Sequence, residues 1–199
     1  MRIISDVEQG TPEWLEFRRN KIGASDAPVI MGVSPWKSIG KLFDEKIGMK
    51  DCDPSNIYQE RGLMLEDSAR EYFFLITGYE VKPDVFTSEK YDWMIASVDG
   101  ISADKKILVE IKCPGEKDHD LASLGIIPEK YFPQLQHQLE VLNLNKGYYL
   151  SFSEEEVYII PFYRDQDYIN KMIKAELEFY HCLENFTPPK RKSRMRRNR

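Results

Sequence analysis

Ile107-Leu108-Val109-Glu110-Ile111-Lys112 is the run from which the rest of the chain can be read. Polar and β-branched residues alternate along Val109-Glu110-Ile111-Lys112, so it reads as a β-strand. Side chains two apart on a strand share a face, which sends Glu110 and Lys112 one way and Val109 and Ile111 the other. Eleven residues before Glu110, Asp99 follows Ala96-Ser97-Val98 and precedes Gly100, at the end of the preceding strand. Two carboxylates and an ammonium converging there would suit a hard divalent cation, with a charge-stabilising lysine beside it. That chemistry fits hydrolysis of a phosphodiester. A Glu-x-Lys alone is an ordinary solvated ion pair; Asp99-Gly100 before it and Cys113-Pro114 after it make the pattern considerably stronger.

Working outward, Thr11-Pro12-Glu13 opens a helix, with Trp14, Leu15 and Phe17 as its apolar side. Gly23-Ala24-Ser25-Asp26 breaks it and caps the next, and Ser38 to Gly48 is a third. The strongest helical pattern spans Ile57 to Thr77, with Leu63, Leu65, Ala69, Tyr72, Phe73 and Ile76 near helical spacing and Gly78 closing it. Strands are expected at 79–86, 93–98 and 107–112, then a long loop from Pro114 to Pro128 and a helix from Glu129 to Leu144. A strand pair (147–152, 156–163) and a helix over 165–185 complete the order. The fold class is α/β, a mixed β-sheet flanked by helices.

At 199 residues the chain reads as one domain over 1–189, followed by a basic tail, 190–199, expected to be disordered. The 42% hydrophobic and 31% charged content belongs to a soluble globular protein, with no apolar run of membrane-spanning length and no signal peptide at the first residues. Three cysteines without a Cys-x-x-Cys pair argue for a reducing compartment, the cytoplasm (a host cell's if the protein is viral), and against a zinc or iron–sulfur site. The net charge of −5 hides a split. The last ten residues hold seven Lys or Arg and no acid, so residues 1–189 carry 21 basic against 33 acidic groups, a net of −12. A nucleic-acid surface on such a body must be local.

Other residues have a functional and an ordinary reading. Glu66, on the long helix, could complete a metal shell or be a solvated helix acid. Arg18 lies one turn beyond Trp14, and Ser25 would start a helix, a pairing suited to a terminal phosphate or simply to capping. On a helix, Gln134 and Gln138 share a face and Gln136 lies roughly opposite. His119, His137 and His181 lack metal-ligand spacing and read as structural.

Taken in order, six segments resemble the phage-type recombination exonucleases related to lambda exonuclease, the YqaJ-like viral recombinase family. They are Trp14 to Arg18 with Gly23-Ala24-Ser25, Gly32-Val33-Ser34-Pro35-Trp36, Gly62 to Glu66 with Ala69, Ala96 to Gly100, Glu110 to Pro114, and Tyr131 to Gln138. The resemblance implies a restriction-endonuclease-like, PD-(D/E)XK nuclease fold, with Asp99, Glu110 and the Ile111 carbonyl binding Mg²⁺ (Mn²⁺ as substitute). Lys112 would assist the attacking water, with Glu66 in the metal and water shell. Arg18 and Ser25 would hold a 5′-phosphate, and Gln136, with Gln134 second, would be the active-site glutamine. It further implies 5′→3′ degradation of one strand at double-stranded DNA ends, a single-strand annealing protein as partner, and a homotrimer. Arg61 departs from the aromatic common there, and the basic tail lies outside the pattern. A related branch carrying an iron–sulfur cluster needs four cysteines.

The expected function is therefore a Mg²⁺-dependent DNA exonuclease producing single-stranded DNA for recombination. An endonuclease or nickase on the same site is the enzymatic rival, since fold does not fix substrate. A DNA-end-binding scaffold whose activity has lapsed is the non-enzymatic one, and an RNA substrate stays open.

Overall fold

The computed structural model describes residues 2–3, 11–51 and 57–190. The basic run from 191 onward, Cys52 and the side chains of Trp14 and Leu15 lie outside the described residues. In chain order the elements are β1 (Arg2–Ile3), α1 (Pro12–Arg19), β2 (Ile22–Gly23), α2 (Ala27–Ile30), α3 (Ile39–Lys46) and α4 (Ile57–Thr77). Next come β3 (Lys82–Thr87), β4 (Met94–Ile101), β5 (Leu108–Lys112), α5 (Glu116–Ser123), α6 (Phe132–Leu142), β6 (Lys146–Phe152), β7 (Val157–Tyr163) and α7 (Gln166–Glu184). Among the described residues seven strands form one sheet, ordered β1-β3-β4-β5-β6-β7, with β2 paired to β4 off that path. The β2–β4 and β5–β6 pairs are parallel and the others antiparallel, so the expected mixed α/β sheet is what forms.

Helices cover both faces. Val109 and Ile111 turn toward α4, where they pack with Ala69, Phe73, Leu150 and Phe152. Leu108 joins the larger core with Leu135 and Leu139 of α6 and Ile169, Met172 and Phe179 of α7. This is the face alternation expected of β5, and it aims Glu110 at α6.

Several expectations are corrected. The supposed loop from Pro114 to Pro128 contains α5, hidden by its polar Glu-Lys-Asp-His-Asp start but anchored by buried Ala122 and by His119 Nδ1, 2.8 Å from Ser151 Oγ. A stretch that long without structure is itself unusual in a compact domain. The supposed helix break at Gly23 lies within strand β2, which pairs Ile22 and Gly23 with Met94 and Ile95. β4 does not end at Val98 but runs through Gly100, where a Cβ would come within 2.8 Å of a Val81 methyl. Of the apolar residues expected to form the inner side of α4, Leu65, Ala69 and Phe73, spaced by four, pack on the sheet; Leu63, Tyr72 and Ile76 are exposed, Tyr72 keeping one ring contact with Phe152. Gly78, at φ 75°, closes α4 as its sequence suggested.

Candidate active site

β4 and β5 are paired only at Gly100–Val109 and Ile101–Leu108, then part. Asp99 sits in the opening, its Oδ2 accepting the Ile111 N–H at 2.8 Å. The N–H and C=O of one strand residue leave by the same edge, so the Ile111 carbonyl faces this gap too. Lys112 Nζ donates to Glu110 Oε1 at 2.5 Å, with Glu110 buried and Lys112 partly open. From α4, Arg70 reaches across to the Asp99 carbonyl (2.9 Å) and also pairs with Glu66 (3.6 Å). Asp99, Glu66, Glu110 and Lys112 are thus one electrostatic group built from β4, β5 and α4.

α6 closes the group from the other face. Gln134 Nε2 donates to Glu110 Oε1 and Gln138 Nε2 to Glu110 Oε2, each at 2.5 Å. Gln136 does not join them. Its Nε2 donates to the Tyr163 carbonyl (2.9 Å) and its Oε1 accepts the Asp165 N–H (2.8 Å), tying α6 to the β7–α7 connection. The helical period placed Gln136 opposite its neighbours, and geometry follows that period rather than the assignment of Gln136 to the active site.

Burial first, then the neighbouring Glu110 charge, push the Asp99 carboxyl well above its ordinary range. Burial likewise raises Glu66 against the pull of Arg70. Lys112 is disfavoured as a cation by burial, but Glu110 and Asp99 outweigh this and hold it protonated, its pKa raised. Partial burial, and then the nearby Glu66 charge, push the Cys113 thiol up to about 11, which disfavours its thiolate at neutral pH.

The donors facing the gap are hard oxygens: Asp99, Glu110 and the Ile111 carbonyl. Among the described residues no group of three or more His, Cys, Asp and Glu could hold a metal unaided. A divalent cation of the Mg²⁺ kind, which keeps waters and takes one or two carboxylates plus substrate phosphate, still fits two carboxylates that repel each other. Ser97 Oγ and Gln138 Oε1 are buried here with no protein partner among the described residues, as polar atoms awaiting water or ligand would be.

A cavity of about 130 Å³ joins this group to Arg18, Gly23, Ala24 and Ser25. Arg18 Nη2 donates to Ser25 Oγ at 3.2 Å and lies 3.9 Å from Asp26. Lys46 fixes this corner from beneath: it bonds Asp26 Oδ2 (2.7 Å) and the carbonyls of Arg18 and Lys21. Burial opposes the Asp26 charge, but Lys46 and Arg18 outweigh it and lower its pKa. α2 is only four residues long, so the corner rests on these side chains rather than on a long helix terminus. A wider groove of about 480 Å³, lined by Met31, Val33, Ile127, Phe132 and Tyr168 with Glu129, lies apart from the carboxylates. Its mostly apolar lining offers little for phosphoryl chemistry.

The structure therefore gathers Asp99, Glu110, Lys112, Glu66, Arg18, Ser25 and Gln134, and leaves Gln136 outside. Reading the sequence missed Arg70 and the partnership of Gln138 with Glu110. Arg70, one turn after Glu66, was a findable i,i+4 signal; Gln138 was found as a face-mate of Gln134 and passed over.

The family model for the YqaJ-like viral recombinase domain matches residues 13–145. Uncharacterized protein YqaJ of Bacillus subtilis (strain 168) is 30% identical over 185 residues, 90% of this chain. The chain spans 58% of that relative's length. An alkaline exonuclease, LHK-Exo from Laribacter hongkongensis, superposes with a TM-score of 0.77 at 24% identity, covering 89% of this chain and 94% of that one. The same protein in complex with dAMP gives 0.77 at 23% identity, with the same coverage. A phage related exonuclease from Haemophilus somnus 129PT gives 0.57 at 15%, covering 83% of this chain and 96% of that one. These structural likenesses establish a shared fold.

Proposed function

The chain belongs to the family of the YqaJ-like viral recombinase domain, and from that premise we propose that it is a metal-dependent DNA exonuclease. In this reading it degrades one strand of duplex DNA 5′→3′ from an end and leaves single-stranded DNA for recombination. The observation that carries the reading is one cavity with Asp99, Glu110 and Lys112 on one wall and Arg18 and Ser25 on another. The exonuclease names of proteins that share the fold, one of them in complex with a deoxynucleotide, point the same way.

Asp99, Glu110 and the Ile111 carbonyl would hold Mg²⁺, or Mn²⁺ in its place. The ion would polarise the scissile phosphate and lower the pKa of a bound water. Lys112, held as an ammonium between carboxylates, orients that water and offsets charge at the phosphate rather than removing a proton. Glu66, a half-buried carboxyl of raised affinity for protons, would act in the metal and water shell. Gln134 and Gln138 fix both Glu110 oxygens, and Arg18 with Ser25 receives the 5′-phosphate. The exposed strand passes to a single-strand annealing protein, and a homotrimer supplies the working assembly.

The test is cleavage with Mg²⁺ of 5′-phosphorylated linear duplexes labelled at either end, beside a covalently closed circle. Loss proceeding from the 5′-phosphorylated ends, with the circle intact, is expected. Lys112→Ala should lower the rate about 10²–10³-fold or more while DNA binding persists. Cutting of the circle would replace the exonuclease with an endonuclease, and near-normal turnover by Lys112→Ala would overturn the catalytic assignment.

A further inference from the structure

Trp36 is 65% exposed, which is unusual for the largest side chain in a protein. Its surroundings are ordered. The Trp36 and Lys37 N–H groups both meet Ser34 Oγ at 3.3 Å, and the Val33 and Ser34 N–H groups bond the Pro28 carbonyl. The loop backbone is therefore held in place, and the indole itself is set by its ring contacts with Tyr131 and Lys130.

The ring also belongs to a line leading into the active site. Its centroid lies 6.3 Å from that of Tyr131, and the Lys112 ammonium lies 5.6 Å from the Tyr131 ring. The indole is thus no farther from the reacting corner than those two spans together. Lys130 sits over both rings, 4.8 Å from Trp36 and 5.2 Å from Tyr131, and is held by Asp118 at 2.5 Å. The same Asp118 accepts the Tyr131 hydroxyl at 3.2 Å. A lone surface aromatic needs no explanation. An indole on an ordered loop, capped by a cation and set beside a phosphodiester-cleaving centre is a different object.

We propose that Trp36, backed by Lys130 and Tyr131, is a stacking platform for a nucleobase of the strand whose phosphodiester lies against Asp99, Glu110 and Lys112. The proposal rests on the nuclease reading above. Every base has a π-face, so such a platform grips unpaired nucleotides without reading sequence. Trp36 thereby contributes to grip next to the cut, while the carboxylates and Lys112 perform the chemistry.

The test uses the full chain in EDTA, so that binding is read without cleavage. Wild type, Trp36→Ala and Trp36→Phe are titrated against a 5′-phosphorylated duplex and its twin with abasic residues at the first three positions of that strand. Wild type should bind the abasic twin about tenfold more weakly, the order expected for one lost base–aromatic stack. Trp36→Ala should lose a similar factor on the normal duplex and little more on the twin, with Trp36→Phe in between. Unchanged thermal melting would show that the exposed substitution left the fold intact. Equal affinity of Trp36→Ala and wild type, or an equal loss on both duplexes, would overturn the platform; the second result would assign Trp36 to backbone or protein contacts. If wild type binds neither duplex, the nuclease reading itself fails and takes the platform with it.

Discussion

α6 and α4 invert what their sequences advertise. Gln136-His137-Gln138 in α6 is 0% exposed and Glu140 only 3%, although a run of amides, imidazole and carboxylate looks like a solvated face. α4 is richer in large apolar residues, yet Met64 is 81% exposed and Leu75 74%. Leu63 and Met64 recur three turns later as Phe74 and Leu75, on the side away from the sheet. What separates the two helices is the supply of partners. Gln136 has the Tyr163 carbonyl and the Asp165 N–H, Gln138 has Glu110, and Glu140 has Lys90 and Arg164. A polar side chain enters a core when its hydrogen bonds are met there, and an apolar one stays outside when, as here among the described residues, no other element packs on its face.

Within the buried polar face of α6, His137 is the costliest side chain to remove. Its Nδ1 lies 2.8 Å from Glu176 Oε1 and its Nε2 2.9 Å from the Ile95 carbonyl. A carbonyl only accepts, so Nε2 carries the proton for Ile95, and Nδ1 faces a carboxylate, so the ring bridges α6, α7 and β4 in a setting that favours the imidazolium. Burial works against that charge, but Glu176, the Ile95 carbonyl and, farther off, Asp26 outweigh it and raise the pKa. His137→Ala leaves Glu176 buried and unpaired and should cost about 3–5 kcal/mol in denaturant unfolding. The pH dependence has a definite sign. A raised folded pKa means the contribution is complete below the unfolded value, about 6.5, and is lost as pH rises through the folded one. The stability gap between wild type and His137→Gln should therefore narrow toward alkaline pH. A gap that widens there would mean a neutral ring.

Two glutamines on opposite sides of α6 sharpen the comparison with a smaller effect. Gln136→Ala strips partners from the Tyr163 carbonyl and the Asp165 N–H and should cost about 1–3 kcal/mol in unfolding, with little change in cleavage rate below the melting range. Gln138→Ala releases Glu110 and should lower the cleavage rate more than it lowers melting. A Gln136→Ala variant with native melting and crippled cleavage would return Gln136 to the active site.

Much of this was legible in the sequence because period encodes direction. β5 showed its two faces through strict alternation, and α6 showed Gln134 and Gln138 together through a spacing of four. α5 was not legible, since it is anchored by Ala122 buried in the larger core and by His119 meeting Ser151 of β6 rather than by an apolar stripe of its own. Strand β2 is two residues long and exists only because β4 lies beside it. Nor could hydropathy tell which side of α4 meets the sheet, because Leu, Phe and Ile occur all around it. At the site, the residue types and the strand period brought Asp99, Glu110 and Lys112 forward as a group, while the bonding of Gln136 depended on a chain segment nearly thirty residues away.

The smallest effect belongs to the outer face of α4. Phe73 is fully buried against Tyr148, with ring centroids 5.8 Å apart, and Phe73→Ala should cost about 3–5 kcal/mol. Two residues on, Leu75→Gln removes an exposed side chain and should change unfolding free energy by no more than about 0.5 kcal/mol. Measured on dilute protein, the pair calibrates how sharply burial changes along one turn. If the homotrimer proposed above covers this face, Leu75→Gln should leave dilute stability alone but shift sedimentation toward smaller species at high concentration. A large loss of stability that is independent of concentration would instead mean that Leu75 is packed within its own chain, and the contrast between the two helices would fail.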